Sequence, residues 1–310
     1  MSATYNNNRP DVTICTMLFK MPDEGNLASI KGSNRKFDEF YLPSLKKLCE
    51  TFHQVALWCD EYTANYLKEN GLADRVNMHV LDITQLPHWA DRDLYCDIMH
   101  SMKHYVGYFL HHRTPEAYKD YLPLMFAKPA VVDWAAKNNR FNSEYFMWMD
   151  AGAFSPAYDN APIWNNWTGE ITARPERVRM TISITLGKSR PHFVPRFVYD
   201  ICKFLFVKPI QPASSANIAQ QEFKNIAMVN ADYDVPGGSF MVPLSRCADF
   251  YRAFERAHNV LVRHNLICVD QGIFQTMMKL DGEHMFELKH INGYRGLYAT
   301  VANGDADFVL

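Results

Sequence analysis

The stretch EYFMWMDAG, residues 144–152, decides the fold class of this chain. Its first six residues form a near-continuous apolar run, which is typical of a strand buried inside a parallel sheet. The run ends abruptly in Asp150, and Gly152 follows two positions later. Ligands of open α/β sheets bind beyond the carboxyl ends of the strands. The stretch therefore predicts a buried strand with an acidic site residue at its end.

The flanking sequence extends this pattern into an α/β fold. Apolar and β-branched runs alternate with segments in which apolar residues recur every three or four positions, the spacing of an amphipathic helix. We predict strands at 12–21, 55–59, 76–81, 180–186, 239–242 and 286–290, and helices at 37–52, 62–70, 91–109, 124–135 and 250–261. The opening order of strand, helix, strand, helix and strand favours a parallel sheet.

Composition limits the class of protein and its surroundings. Residues 1–10 are polar and predict a disordered lead, and no linker divides residues 11–310, which predicts a single domain. The net charge of −2 gives no general attraction to nucleic acid or to an anionic membrane. There is no apolar run long enough for a transmembrane segment and no signal-peptide pattern. The seven cysteines form no disulfide framework, so we expect a cytoplasmic location.

Three stretches carry a resemblance to a known family. FYLPSLKKL (40–48), PLMFAKPAVV (123–132) and YFMWMDAG (145–152) resemble the HtrL/YibB family of bacterial surface-polysaccharide proteins, related to the WlaTC proteins. The resemblance covers roughly residues 12–300. It implies a GT-A-like fold, a mixed and mainly parallel sheet flanked by helices. It also implies a hexosyl- or pentosyltransferase that uses a nucleotide-diphosphate sugar donor and a glycan or lipid-linked saccharide acceptor.

The resemblance to the GT-A class also implies a metal site. The acidic motif that ends the central strand in this class is reduced here to Trp148-Met149-Asp150, so only one acid matches. A late histidine that completes the metal site is matched by His290 in KHINGYRG. We expect Asp150 and His290 to share Mn²⁺ or Mg²⁺, and Trp148 to lie in the donor pocket. Asp150 as a turn residue and His290 as an ordinary histidine are the alternatives.

Two further GT-A marks follow in the expected order. Gly237 and Gly238 in PGGSFMVP match the glycine loop before a strand, which we assign to donor binding. Asp270 and Gln271 in VDQGIFQTM match loosely an acidic pair that opens a helix. We predict that Asp270 is the base if transfer inverts the anomeric centre, and that Gln271 supports the reacting face if transfer retains it. The alternatives are that the glycine pair forms a plain turn and that Asp270 only caps the helix.

Four donor-pocket candidates come from the residues themselves. Lys128 shares a helix face with apolar neighbours four positions away on either side, so its ammonium must reach solvent or meet an anion. A donor phosphate is one such anion. Thr16, Leu18 and Phe19 lie on the first predicted strand and are the other candidates, although not all of them can point to the pocket because side chains alternate between the faces of a strand.

Other functions remain open on the sequence alone. A catalytically inactive protein that binds a nucleotide sugar or a glycan is the main alternative, because one carboxylate holds a metal less firmly than two. A sugar nucleotidyltransferase would carry a glycine-rich basic loop after the first strand, and this chain has a single glycine there. A lectin would need no nucleotide site. His100 and His104 have the i, i+4 spacing of a zinc pair, but the sequence shows no third ligand.

Overall fold

A computed structural model describes six stretches of the chain, namely residues 12–21, 36–101, 115–155, 177–182, 237–281 and 285–290. The predicted disordered lead, residues 1–10, lies outside them. Contacts between Cα atoms divide the chain into two units, and every element described below belongs to the first, Met1–Ile182 with Val235–Leu310. The second unit, Ser183–Asp234, lies outside the described residues, so a single domain over 11–310 stays a prediction.

Seven strands in the described residues form one sheet. They are β1 (Val12–Leu18), β2 (Val55–Cys59), β3 (Val76–Val80), β4 (Tyr145–Met149), β5 (Val178–Ile182), β6 (Ser239–Pro243) and β7 (Phe286–His290). The strand order is β3-β2-β1-β4-β6-β5-β7. β6 runs antiparallel to β4 and β5, and the other neighbouring strands are parallel. This is the mixed, mainly parallel α/β sheet that was predicted.

Helices cover both faces of this sheet. In chain order they are α1 (Leu42–Thr51), α2 (Glu61–Glu69), α3 (Arg92–Ser101), α4 (Pro115–Tyr118), α5 (Tyr121–Asn138), α6 (Cys247–Arg263) and α7 (Asp270–Asp281). A π-helical turn at Phe37–Tyr41 precedes α1, and a 3-10 turn at Ala151–Phe154 follows β4. None of the described helices is both long enough and apolar enough to cross a bilayer.

The sheet has two chemically distinct faces, because successive side chains of a strand point to opposite sides. On the first, which we call the α1 face, Ile14, Met147 and Met241 pack with Leu45 of α1 in one apolar cluster. On the second, which we call the α5 face, aromatic rings dominate. Trp148 stacks on Phe240, and Phe240 in turn contacts rings from α6 and α7.

The order of the strands changes direction between β1 and β4. The chain builds β2 and β3 on one side of β1 and then returns to add β4 on the other side. Such a change of direction opens a crevice at the carboxyl ends of the two central strands, where α/β proteins bind their ligands. Asp150 is the first residue after β4 and therefore stands at this end of the sheet.

The predicted elements and the described ones differ at a few ends. The helix predicted over 91–109 is described as α3 only to Ser101, and residues 102–110 lie outside the described stretches. Pro129 lies inside α5 without ending it. β5 begins at Val178, two residues before the predicted start, and the part of the prediction beyond Ile182 lies outside the description.

Candidate active site

Asp150 is held at the end of β4 by its neighbours. Its backbone N–H donates to the carbonyl of Gly238 at 3.1 Å. Residues two apart on a strand point to the same side, and the indole N–H of Trp148 donates to Asp150 Oδ1 at 2.9 Å. The Asp150 side chain makes no capping hydrogen bond to the 3-10 turn that follows, and 34% of it is exposed. Asp150 therefore presents a partly exposed carboxylate at the carboxyl end of β4, and this carboxylate does not cap the turn that follows.

Lys128 lies in the middle of α5 and is buried, with 3% of its side chain exposed. Its ammonium donates to Asp270 Oδ2 at 2.6 Å and to the carbonyl of Gly237 at 2.9 Å. Asp150 Oδ1 lies 3.2 Å from the same nitrogen. Of the two expectations for this lysine, reaching solvent or meeting an anion, the described structure shows the second, and the anions are carboxylates of the protein.

The charges in this cluster stabilise one another. Burial alone would lower the pKa of Lys128, but the nearby carboxylates of Asp150 and Asp270 outweigh burial, and the net result is a raised pKa. Burial also raises the pKa of Tyr121, which lies close enough to feel the charges of all three groups. Lys128 is therefore a permanent cation of the site at any physiological pH.

Gly237 allows the cluster to close. A Cβ atom at this position would lie 1.9 Å from Asp270 Oδ2, which is far inside any van der Waals contact. A side chain there would push the Asp270 carboxylate away from Lys128. Gly237 and Gly238 also precede β6 directly, as predicted. The glycine pair thus does more than form a turn, because the first glycine lets backbone and carboxylate come together.

Asp270 is the first residue of α7, as predicted for an acid that opens a helix. Only 6% of its side chain is exposed, and Oδ2 accepts the short hydrogen bond from Lys128. A helix N-terminus favours a negative charge, so two separate features stabilise the carboxylate here. Gln271 follows as a half-buried residue in the first turn.

His290 is the last residue of β7, at the same edge of the sheet as Asp150. The register pairs His290 with Ile182. If the antiparallel register of β5 and β6 continues for two residues beyond Met180 and Phe240, Ile182 lies opposite Gly238, whose carbonyl accepts the backbone hydrogen bond of Asp150. Asp150 and His290 then lie in one row across the sheet. Three strand spacings separate them, roughly 14 Å between backbones. A shared cation would require the ends of β4 and β7 to come closer than this, because an aspartate and a histidine that bind the same ion span a shorter distance between their backbones.

Thr16 and Leu18 both point to the α1 face. Leu18 belongs to the apolar cluster of that face, and Thr16 is fully buried. Among the described residues, the Thr16 hydroxyl has no hydrogen-bond partner. The cluster of Lys128, Asp150 and Asp270 lies on the α5 face, next to Trp148. The structure thus brings Lys128, Asp150 and Asp270 together but separates Thr16 and Leu18 from them by the thickness of the sheet.

Sequence reasoning missed two features of this site. The pairing of Lys128 with Asp270 spans 142 positions, and no local pattern announces it. The bond between Trp148 and Asp150 could have been inferred, because residues i and i+2 of a strand share a face and the indole N–H is a donor only.

Comparison with known proteins gives remote similarities. No family model and no curated protein matches the chain. Mouse xyloside xylosyltransferase 1 in its apo form aligns over 90% of this chain and 84% of its own, with 9% identity and a TM-score of 0.37. Core-mannan synthase A from Aspergillus fumigatus, in its Mn/GDP form, aligns over 92% of this chain and 74% of its own, with 12% identity and a TM-score of 0.40.

Proposed function

We propose that this chain is a metal-dependent glycosyltransferase of the GT-A type. It moves a sugar from a nucleotide-diphosphate donor to a hydroxyl group of a glycan or lipid-linked saccharide, in the assembly of a surface polysaccharide. The observation that carries the proposal is the meeting of Lys128, Asp150 and Asp270 at the carboxyl end of β4. Three charged side chains from separate elements converge where α/β sheets bind ligands.

The charge of this cluster favours a metal. Two carboxylates and one ammonium carry one net negative charge, which would repel a diphosphate. A divalent cation reverses that sign and supplies positive charge to the departing diphosphate. Asp150 Oδ1 takes the contacts with Trp148 and Lys128, and among the described residues no hydrogen bond or ion pair reaches Oδ2. A carboxylate oxygen at a half-exposed position fits Mn²⁺ or Mg²⁺, and His290 is the proposed second ligand.

The donor would lie along the row from Asp150 to Gly238. Trp148, Gly237 and Gly238 form the protein side of this row, with Lys128 beneath it. The ammonium of Lys128 already has three oxygen neighbours. A contact with the diphosphate therefore requires Lys128 to exchange one neighbour, most simply the longer contact with Asp150. Thr16 and Leu18 would support the strand from the opposite face without touching the donor.

Asp270 is the proposed base for an inverting transfer. Its Oδ2 is engaged by Lys128, so the proton of the acceptor hydroxyl would be taken at Oδ1. For a retaining transfer no base is needed, and the side chain of Gln271 would support the reacting face of the sugar. The anomeric configuration of the product decides between these two roles.

A catalytically inactive nucleotide-sugar-binding protein is the second candidate. It is favoured by the same contacts, since Lys128 neutralises part of the acidic charge internally and the acidic motif has a single acid. In that case a nucleotide sugar would bind without hydrolysis or transfer.

The experiment that tests the proposal is a donor screen with and without metal. Nucleotide sugars are assayed for binding, hydrolysis and transfer in Mn²⁺ and in chelator, with wild type, Asp150→Asn, Asp270→Asn and the exposed control Asp74→Asn. We expect Mn²⁺-dependent turnover, loss of metal-dependent binding in Asp150→Asn, and a fall in kcat of roughly 10²-fold or more in Asp270→Asn with nearly intact donor affinity. The control should behave as wild type.

Two outcomes contradict the proposal. Donor binding that is indifferent to chelator removes the metal from the mechanism. Tight, Mn²⁺-dependent binding without hydrolysis or transfer of any donor favours the inactive binding protein.

A further inference from the structure

A second group of metal-binding side chains lies outside the candidate active site. Cys96 and His100 belong to α3, and Glu116 belongs to α4. One ligand atom from each of these residues lies within 4.8 Å of the other two. The group combines a thiol, an imidazole and a carboxylate, which is a different chemistry from the oxygen-rich cluster around Asp150.

The backbone explains why these atoms converge. Cys96 and His100 are four residues apart on a helix, so their side chains lie one above the other on the same face. α4 packs against α3 and brings Glu116 to that face. His100 Nε2 lies 2.6 Å from Glu116 Oε1, across 16 positions of sequence. Two residues of one helix and one from its neighbour thus form a three-sided site.

The surrounding charges favour a cation. The pKa of the Cys96 thiol is raised, first by burial and then by the negative charges of three carboxylates, Glu116, Asp97 and Asp93. The positive charge of Lys119 acts in the opposite direction. Lys119 is itself paired with Asp93, so its positive charge is largely compensated. A divalent ion at this position would enter a negative environment.

We propose that Cys96, His100 and Glu116 bind Zn²⁺ through Cys96 Sγ, His100 Nε2 and a Glu116 carboxylate oxygen, with water as the fourth ligand. Zinc bonds of about 2.0–2.3 Å place tetrahedral ligand atoms roughly 3.3–3.8 Å apart. The present contact between His100 and Glu116 is shorter than this, and 4.8 Å is the upper limit for the other ligand atoms, so binding would separate the first pair slightly and draw any longer pair together. On binding, the thiol proton of Cys96 is released to solvent, and the proton that His100 Nε2 donates to Glu116 leaves that nitrogen, so that the neutral ring is protonated only at Nδ1. The ion then replaces the hydrogen bond between His100 and Glu116.

The ligand types separate this site from the proposed catalytic metal. Thiolate and imidazole select zinc, whereas Mg²⁺ and Mn²⁺ prefer oxygen ligands. The ion would tie the last turn of α3 to α4 and so fasten two helices that the chain joins over a long interval. We therefore assign it a stabilising role, independent of the metal at Asp150.

Cobalt spectroscopy on the metal-free full-length chain tests the site without any assay of activity. We expect Co²⁺ to produce thiolate-to-cobalt charge-transfer absorption with one equivalent bound, and Zn²⁺ to displace it. Cys96→Ser should abolish this absorption, and His100→Ala and Glu116→Gln should weaken Co²⁺ binding at least tenfold. His53→Ala is the matched control, because His53 is an exposed histidine that belongs to neither α3 nor α4. Asp150→Asn should leave the absorption unchanged.

A stability measurement complements the spectra. Zn²⁺ should raise the unfolding midpoint of wild type and of His53→Ala, and it should have no effect on Cys96→Ser, whose metal-free midpoint should equal that of wild type. Absence of thiolate-to-cobalt absorption in wild type, or its survival in Cys96→Ser, overturns the proposal. Failure of the glycosyltransferase proposal would leave both readouts unaffected.

Discussion

Both faces of the sheet are buried, but their polar groups differ in how they are paired. On the α5 face, Lys128 and Asp270 are charged, buried and bonded to each other at 2.6 Å. On the α1 face, the hydroxyls of Thr16 and Ser239 are buried, and within the described residues neither has a hydrogen-bond partner. A buried charge without a partner is far more costly than a buried hydroxyl. Lys128 and Asp270 of the α5 face thus depend on each other, whereas the hydroxyls of Thr16 and Ser239 on the α1 face are each replaceable.

The largest expected effect comes from removing the cation of the α5 face. Lys128→Met should lower the free energy of unfolding by about 3–5 kcal/mol, because it leaves the Asp270 carboxylate buried without its partner. Chemical denaturation measures this loss. Lys36→Met, which removes an exposed lysine paired with Glu39, should cost less than about 1 kcal/mol.

A double variant shows whether the effect belongs to the pair. Lys128→Met combined with Asp270→Asn removes both charges, so it should be more stable than Lys128→Met alone. If the losses in unfolding free energy from the two substitutions simply add, the unpaired charge of Asp270 is not the cause of the loss in Lys128→Met. The contrast between the two faces would then disappear.

A second effect on the α5 face depends on pH. His258 of α6 is buried against His88, with ring centroids 4.3 Å apart, and burial followed by the charge of His88 lowers the pKa of His258 to about 3. The unfolded value is near 6.5, so the folded state binds fewer protons. The free energy of unfolding is therefore highest above about pH 6.5 and falls progressively between about pH 6.5 and pH 3, because the unfolded state takes up a proton that the buried ring does not. At pH 5 the loss should be about 2 kcal/mol.

Denaturation of wild type and His258→Phe between pH 7 and pH 5 tests this dependence. Wild type should lose more stability than the variant over this interval, and His53→Gln, which alters an exposed histidine, should follow wild type. Parallel curves for wild type and His258→Phe would show that His258 is not the titrating group.

The smallest expected effect belongs to the α1 face. Thr16→Val replaces a buried hydroxyl, which has no partner among the described residues, by a methyl group of similar size. The free energy of unfolding should change by less than about 1 kcal/mol, in the direction of greater stability, and donor affinity should stay unchanged. Calorimetry and a donor titration measure the two quantities. A clear loss of donor affinity would instead place Thr16 in the donor pocket and make the two faces alike.

Local patterns in the sequence predicted most of the architecture. Alternating strand and helix periods gave β1 to β3 and the helices between them, and the apolar run before Asp150 gave β4. Gly71 ends α2 with a positive φ of 69°, the conformation expected of a glycine after a helix. These features are local, because each depends on residues within one or two turns of chain.

The site was predictable only in part, because its contacts are not local. Asp150, the glycine pair and Asp270 could be placed at the ends of elements, and the structure brings them to one cluster. That Lys128 would meet Asp270 depends on how α5 and α7 pack across the sheet, which no spacing encodes. Similarly, Cys96 and His100 show ligand spacing in the sequence, but Glu116 joins them only through the packing of α4 on α3.

The absence of a side chain at Gly237 has an evolutionary consequence. Any other residue there would place a Cβ atom 1.9 Å from Asp270 Oδ2. Divergence at this position is therefore tied to positions 270 and 128, since loss of the glycine displaces the carboxylate and leaves the lysine without its partner. Among descendants of this gene, the three positions should be inherited as a unit or change together. A chain that carries Lys128 and Asp270 but a larger residue at 237 would mark a lineage in transition.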